Sequence, residues 1–163
     1  MKNNPFIILT IVMLLILSSC SIEKRSAQEY WDSGSALFEV DNHKGAIKQY
    51  TKLIKHYPDN ELALKADFSI AEIYKNNLKD YSTAIAHYKK IQKKYPDSEQ
   101  TPNAIFMIGY IFANEMKNSK KAKTAYEYFI KTYPNHILVQ SAQWELKNLG
   151  KSLEEIQKDS LTE

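Results

Sequence analysis

The chain has 163 residues, a formal net charge of +3 and one cysteine, with 44% of its residues hydrophobic and 25% charged. A single cysteine excludes a disulfide within the chain, and so small a charge gives no electrostatic reason to expect a nucleic acid or an acidic surface as partner. The length suits one domain with a continuous core.

Residues 6–17 form an apolar run broken only by Thr10, behind the lone charge of Lys2. A bilayer-crossing helix needs about 20 apolar residues, so this run is too short to span and fits the apolar stretch of an export signal. It ends in Leu17, Ser18, Ser19 and Cys20, which resembles the lipobox of bacterial lipoproteins. The resemblance implies cleavage before Cys20, removal of residues 1–19 as a signal peptide, and attachment to a membrane through lipid on that cysteine. The alternative is an ordinary signal peptide in which Cys20 is incidental. In the same family an aspartate after the cysteine tends to retain the protein in the inner membrane; Ser21 stands there, which favours an outer-membrane anchor facing the periplasm. Removing residues 1–19 takes away Lys2 and no acid, leaving 21 basic against 19 acidic side chains. Residues 20–28 are the lipidated cysteine and a polar tether, whose reach is at most about 30 Å.

From here the chain is periodic. Ala46, Ala84 and Ala122 are each followed four residues later by Tyr50, Tyr88 and Tyr126, and then by a Tyr-Pro pair ending in Pro58, Pro96 and Pro134, all in steps of 38 residues. A fixed period of this size marks a stacked repeat protein. Within each period two apolar stripes at helical spacing are expected: Phe68, Ile70, Ala71 and Tyr74 in one helix, and Ala84, Ile85, Tyr88 and Ile91 in the next. Asp80 is placed to cap the second, and Tyr95 before Pro96 to end it. The units are about 27–60, 61–98 and 99–136, within a domain spanning 29–150. Residues 137–150 form a closing helix with Leu138, Ala142, Leu146 and Leu149 on one face and Gly150 as its stop. Ser152 and Glu155 fit a capping box, and 151–163 is a short helical or frayed tail. Ala84, Tyr88 and Ile91, flanked by complete units, are expected to be the most buried of their kind.

This pattern resembles the tetratricopeptide repeat, in which a small residue lets the two helices of a unit approach. Gly34, Ala71 and Gly109 take the small position of the first helix. Ala46, Tyr50 and Pro58, then Ala84, Tyr88 and Pro96, then Ala122, Tyr126 and Pro134, take the packing positions of the second. The family usually repeats every 34 residues, and the first unit's turn is one residue shorter than the others. The resemblance implies an all-α, right-handed superhelical stack of three helix pairs plus a capping helix. Two lipoprotein groups share the combination: the TolA-binding envelope protein that coordinates wall synthesis with constriction, and the lipoprotein subunit of the β-barrel assembly machine, which usually has more repeats. A non-catalytic accessory to a peptidoglycan enzyme is a third reading. All three imply envelope proteins as partners, held in the concave groove.

The candidate groove residues are Trp31, Phe68 and Phe106, an aromatic three positions before the small residue of every unit, with Phe38, Glu39, Glu72, Lys75, Tyr110 and Asn114. Two readings of the aromatic row stand side by side. It grips a partner peptide, or it fills the joint between units as such stripes usually do. His43, His56, His87 and His136 lack ligand spacing and read as surface or cap positions. Lysines 89, 90, 93 and 94, and 117, 120, 121 and 123, read as solvating charge on outward faces. No phosphate-binding glycine loop, nucleophile elbow or CxxC pair is present. No enzyme activity, metal, cofactor, nucleic acid or small-molecule substrate is expected.

Overall fold

The structure, a computed structural model, describes residues 25–161; the signal segment, Cys20 and the start of the tether lie outside the described residues. The elements in order are α1 (Ala27–Glu39), α2 (His43–His56), α3 (Glu61–Asn76), α4 (Tyr81–Lys94), α5 (Thr101–Tyr110) continued by a π-helical turn (Ile111–Glu115), α6 (Ser119–Thr132), α7 (Val139–Asn148) and α8 (Leu153–Ser160). Each of α1 to α6 packs on the next in sequence, and the first helices α1 and α3 also touch. The described chain is an all-α stack of helical repeats.

The ends of the helices repeat as faithfully as their apolar stripes. Asn42, Asp80 and Asn118 cap α2, α4 and α6 by accepting from the backbone N–H three residues on, at 3.0, 3.0 and 3.1 Å, which satisfies a donor the helix cannot. Tyr57, Tyr95 and Tyr133 leave helical geometry at φ −135°, −128° and −127°, as the residue before a proline must. The residue before each of the three caps, Asp41, Lys79 and Lys117, has a positive φ of 57°, 55° and 51°. None of them is glycine, so each carries a side chain in a conformation that costs about 1–2 kcal/mol. Pro102 lies in the first turn of α5, where its missing N–H would have no helical partner anyway. Ser152 and Glu155 form the expected capping box at α8, and of the two readings of the tail, helical or frayed, Leu153–Ser160 is helical.

The core is three successive clusters, each built from a helix pair and the first helix of the next unit. Ala46, Ala84 and Ala122 have no exposed surface, nor do Leu53, Ile91 and Phe129 one turn beyond the tyrosines. Burying one such large side chain contributes about 1.5–3 kcal/mol. The small position is a steric requirement: a Cβ on Gly34 would lie 2.5 Å from Tyr50 Cε1, and one on Gly109 2.7 Å from Tyr126 Cε1. One expectation is corrected. The central Ala84, Tyr88 and Ile91 are no more enclosed than Ala122, Tyr126 and Phe129, because α7 closes the third unit as completely as α5 closes the second. Its helical span, Val139–Asn148, starts later than expected, and Ile137 is exposed.

Candidate functional site on the face of the first helices

The aromatic row is set by the tyrosines beneath it. Trp31 lies 5.2 Å from the Tyr50 ring, Phe68 5.5 Å from Tyr88, and Phe106 5.6 Å from Tyr126 and 5.8 Å from Phe129. All three are half-buried: one side packs on the unit and the rest stays open. The row therefore belongs to both readings. It also continues, since Trp144 of α7 stands 38 residues after Phe106. Among the described residues no tyrosine ring packs under it, and Lys147 occupies the small position that Gly109 holds one unit earlier. Trp144 is 54% exposed.

Open spaces separate successive first helices. A cavity of about 110 Å³ between α1 and α3 is lined by Phe38, Tyr50, Ser69, Glu72 and Ile73, among others. Another of about 510 Å³ between α5 and α7 is lined by Phe106, Tyr110, Gln140, Ser141, Trp144 and Glu145. On the opposite side, about 680 Å³ lies between α4, α5 and α6, with Lys89, Lys120 and Lys121 around Ile105, Ile108 and Phe112. There the Lys121 ammonium sits 5.3 Å from the centre of the Phe112 ring.

Of the polar candidates, Glu39 is exposed, and Glu72, Tyr110 and Asn114 are half-buried. Lys75 is less open to a partner than a groove residue needs to be: its side chain is only 12% exposed and its ammonium lies 2.8 Å from Glu72. Glu72 also accepts from Asn76 Nδ2 at 2.8 Å and from the Tyr88 hydroxyl. Burial alone would raise the Glu72 pKa, but the hydrogen bonds from Lys75 and Tyr88 outweigh it and the carboxyl is held below its ordinary value. Tyr88 is pushed far above the ordinary phenol range, first by burial and then by that carboxylate.

The three tyrosine hydroxyls meet different company. Tyr50 has Ser35 Oγ at 3.2 Å and Tyr88 has Glu72, while the Tyr126 hydroxyl is buried with no hydrogen-bond partner among the described residues. Burial, then the Glu145 carboxylate and Tyr110, raise the Tyr126 pKa well above its usual range. The residue facing the hydroxyl is Ser35, Glu72 or Tyr110 at matching positions of the first helix, and only the first two form the bond.

A buried carboxylate escaped the sequence reading. Asp67 on α3 has no exposed surface; it accepts from Lys90 Nζ at 2.9 Å and lies 3.4 Å from His87 Nδ1, both on α4. Desolvation raises its pKa, and the hydrogen bonds from His87 and Lys90 lower it further than burial raises it, so the net direction is down. His87 is thus not a surface or cap residue: it pairs with Asp67 and stacks on Tyr74 at 5.7 Å. His43 is also largely enclosed, at 17% side-chain exposure. The available signal was register, because Asp67 fills a position where the other units carry Tyr30 and Ile105. Among the described residues no group of His, Cys, Asp and Glu could hold a metal ion, and no helix is long and apolar enough to cross a membrane.

Helix pairs stacked in register, a small residue under a tyrosine in each, and an open face lined by the first helices define a tetratricopeptide-like repeat protein of the class that binds other proteins. Residues 16–149 match the family described as soluble NSF attachment protein, SNAP. The chain belongs to that family of helical repeats; the attachment partner in the description is that of the proteins it names. No curated protein matched the chain significantly.

Proposed function

We propose that this protein is a non-catalytic adapter, anchored by lipid at Cys20 to the outer membrane and facing the periplasm, that holds other envelope proteins on the face of its first helices. The observation that carries the reading is the aromatic row Trp31, Phe68 and Phe106, open on one side, which ends in a tryptophan more than half exposed. Exposed aromatics beside cavities are where binding energy concentrates at protein interfaces. The lipobox-like run at Leu17 to Cys20 supports the address, and the short tether would keep the repeats close to the membrane. Two experiments test it. Cys20→Ala should release the protein from membranes and abolish fatty-acid labelling; membrane fractionation of that variant, with no labelling of the wild type, would defeat the anchor. A photo-crosslinking residue at Tyr110 should capture envelope proteins in living cells. Wall-synthesis and constriction proteins, barrel-assembly subunits and peptidoglycan enzymes are distinct catches, and no catch from this face would defeat the adapter.

A further inference from the structure

The space between α5 and α7 differs from the rest of the face in chemistry. Three aromatic side chains line it: Phe106, half-buried on Tyr126 and Phe129; Tyr110, half-buried; and Trp144, exposed. The charge among its lining residues is Glu145, and no lysine or arginine lines it. Glu145 is half-buried and makes no hydrogen bond or ion pair among the described residues. Elsewhere half-buried carboxylates are answered, as Glu72 is by Lys75.

We infer that this space is a pocket for a lysine or arginine side chain presented by a partner peptide. The inference deepens the adapter reading and rests on it for the source of the cation. Aromatic faces attract a cation through their quadrupoles, most strongly when tryptophan is among them. An adjacent carboxylate that the protein leaves unpaired adds a charged acceptor. The alkyl stem of a lysine or arginine covers apolar wall while its head reaches the acid. A cavity of about 510 Å³ is roomy for one such side chain and a few flanking atoms. The Ser141 and Gln140 side chains at the rim offer hydrogen bonds to the backbone that carries it.

The probes are N-acetyl-arginine methylamide, N-acetyl-lysine methylamide and two neutral counterparts, the citrulline and norleucine amides, titrated into the full chain in detergent. The readout is the indole N–H resonance of Trp144, with that of Trp31 as internal control; these are the two tryptophans of the chain. The arginine and lysine amides should shift the Trp144 signal saturably, and the citrulline amide should not. Glu145→Gln should weaken the interaction at least about threefold and remove its salt dependence, with helicity unchanged. Equal shifts with the norleucine amide, no shift with any probe, or full affinity in Glu145→Gln would each overturn the inference. Capture at Tyr110 without any cation preference would sink the pocket and leave the adapter. Cation binding at Trp144 without capture in cells would do the reverse.

Discussion

Replacing Tyr50, Tyr88 or Tyr126 by phenylalanine removes the same oxygen from the same register position of three repeats, so helix propensity, ring packing and apolar burial are held constant. What differs is the partner lost. At Tyr88 the hydroxyl donates to a carboxylate; bonds to charged groups contribute about 1.5–3 kcal/mol, but Glu72 keeps Lys75 and Asn76 and is 33% exposed, so the loss should fall near the lower end, at about 1–2 kcal/mol. At Tyr50 the partner is a serine hydroxyl at 3.2 Å, and a neutral bond of that length gives about 0.5–1 kcal/mol. At Tyr126 no bond is broken. An unsatisfied buried hydroxyl costs about 1–3 kcal/mol, so Tyr126→Phe should stabilise the protein by roughly 1 kcal/mol after local relaxation. Urea unfolding followed by far-ultraviolet circular dichroism, with a common m-value, gives all three values. A fall in midpoint for Tyr126→Phe equal to that for Tyr88→Phe would refute the reasoning, since it would make the unpaired hydroxyl a contributor to stability.

Three further outcomes follow from the packing. Gly109→Ala puts a Cβ 2.7 Å from the Tyr126 ring, and overpacking of about 1–3 kcal/mol should exceed the helix propensity that alanine gains; a raised midpoint would show that the ring yields freely. Lys79→Gly and Lys117→Gly relieve a positive φ and should each stabilise by about 0.5–1 kcal/mol in the same assay, the relief being partly offset by the added freedom of the unfolded chain. Because the Asp67 carboxyl titrates below its ordinary value of 3.8 in the fold, its ionised pairing stabilises the protein above that value and is lost as pH falls through the folded pKa. The midpoint gap between wild type and Asp67→Asn should therefore be widest near neutrality and shrink below about pH 4; a gap independent of pH would mean that the charge contributes nothing.

The repeat was legible because each landmark has a local cause. A proline ends a helix through its own ring, and an alanine before a tyrosine by four positions is readable from spacing alone. Asp80 could be named as a cap for the same reason. What escaped depends on contacts across helices. The positive φ at Asp41, Lys79 and Lys117 carries no glycine to announce it; the turn is imposed by the helices on both sides. Asp67 lies among apolar neighbours and gains its meaning only from His87 and Lys90 on another helix. The groove-or-core question for Trp31, Phe68 and Phe106 had no answer in sequence because a ring resting on a tyrosine serves both. Trp144 was written in the period, yet Lys147 in the small position hid the fourth first helix from a search for complete units.

The buried carboxylate of α3 also bears on how such a chain finds its own order. Units built on one spacing invite a helix to dock one repeat too far along, a failure to which repeat proteins are prone during folding. On α6 the residues equivalent to His87 and Lys90 are Ala125 and Tyr128. An α3 that settled there would bury Asp67 against a methyl group and a phenol ring with no cation, a penalty of several kcal/mol for a charge taken from water. Nothing comparable opposes the native docking. The Asp67 pairing thus acts as a postal code inside a repetitive molecule, marking α4 and not α6 as the helix on which α3 belongs.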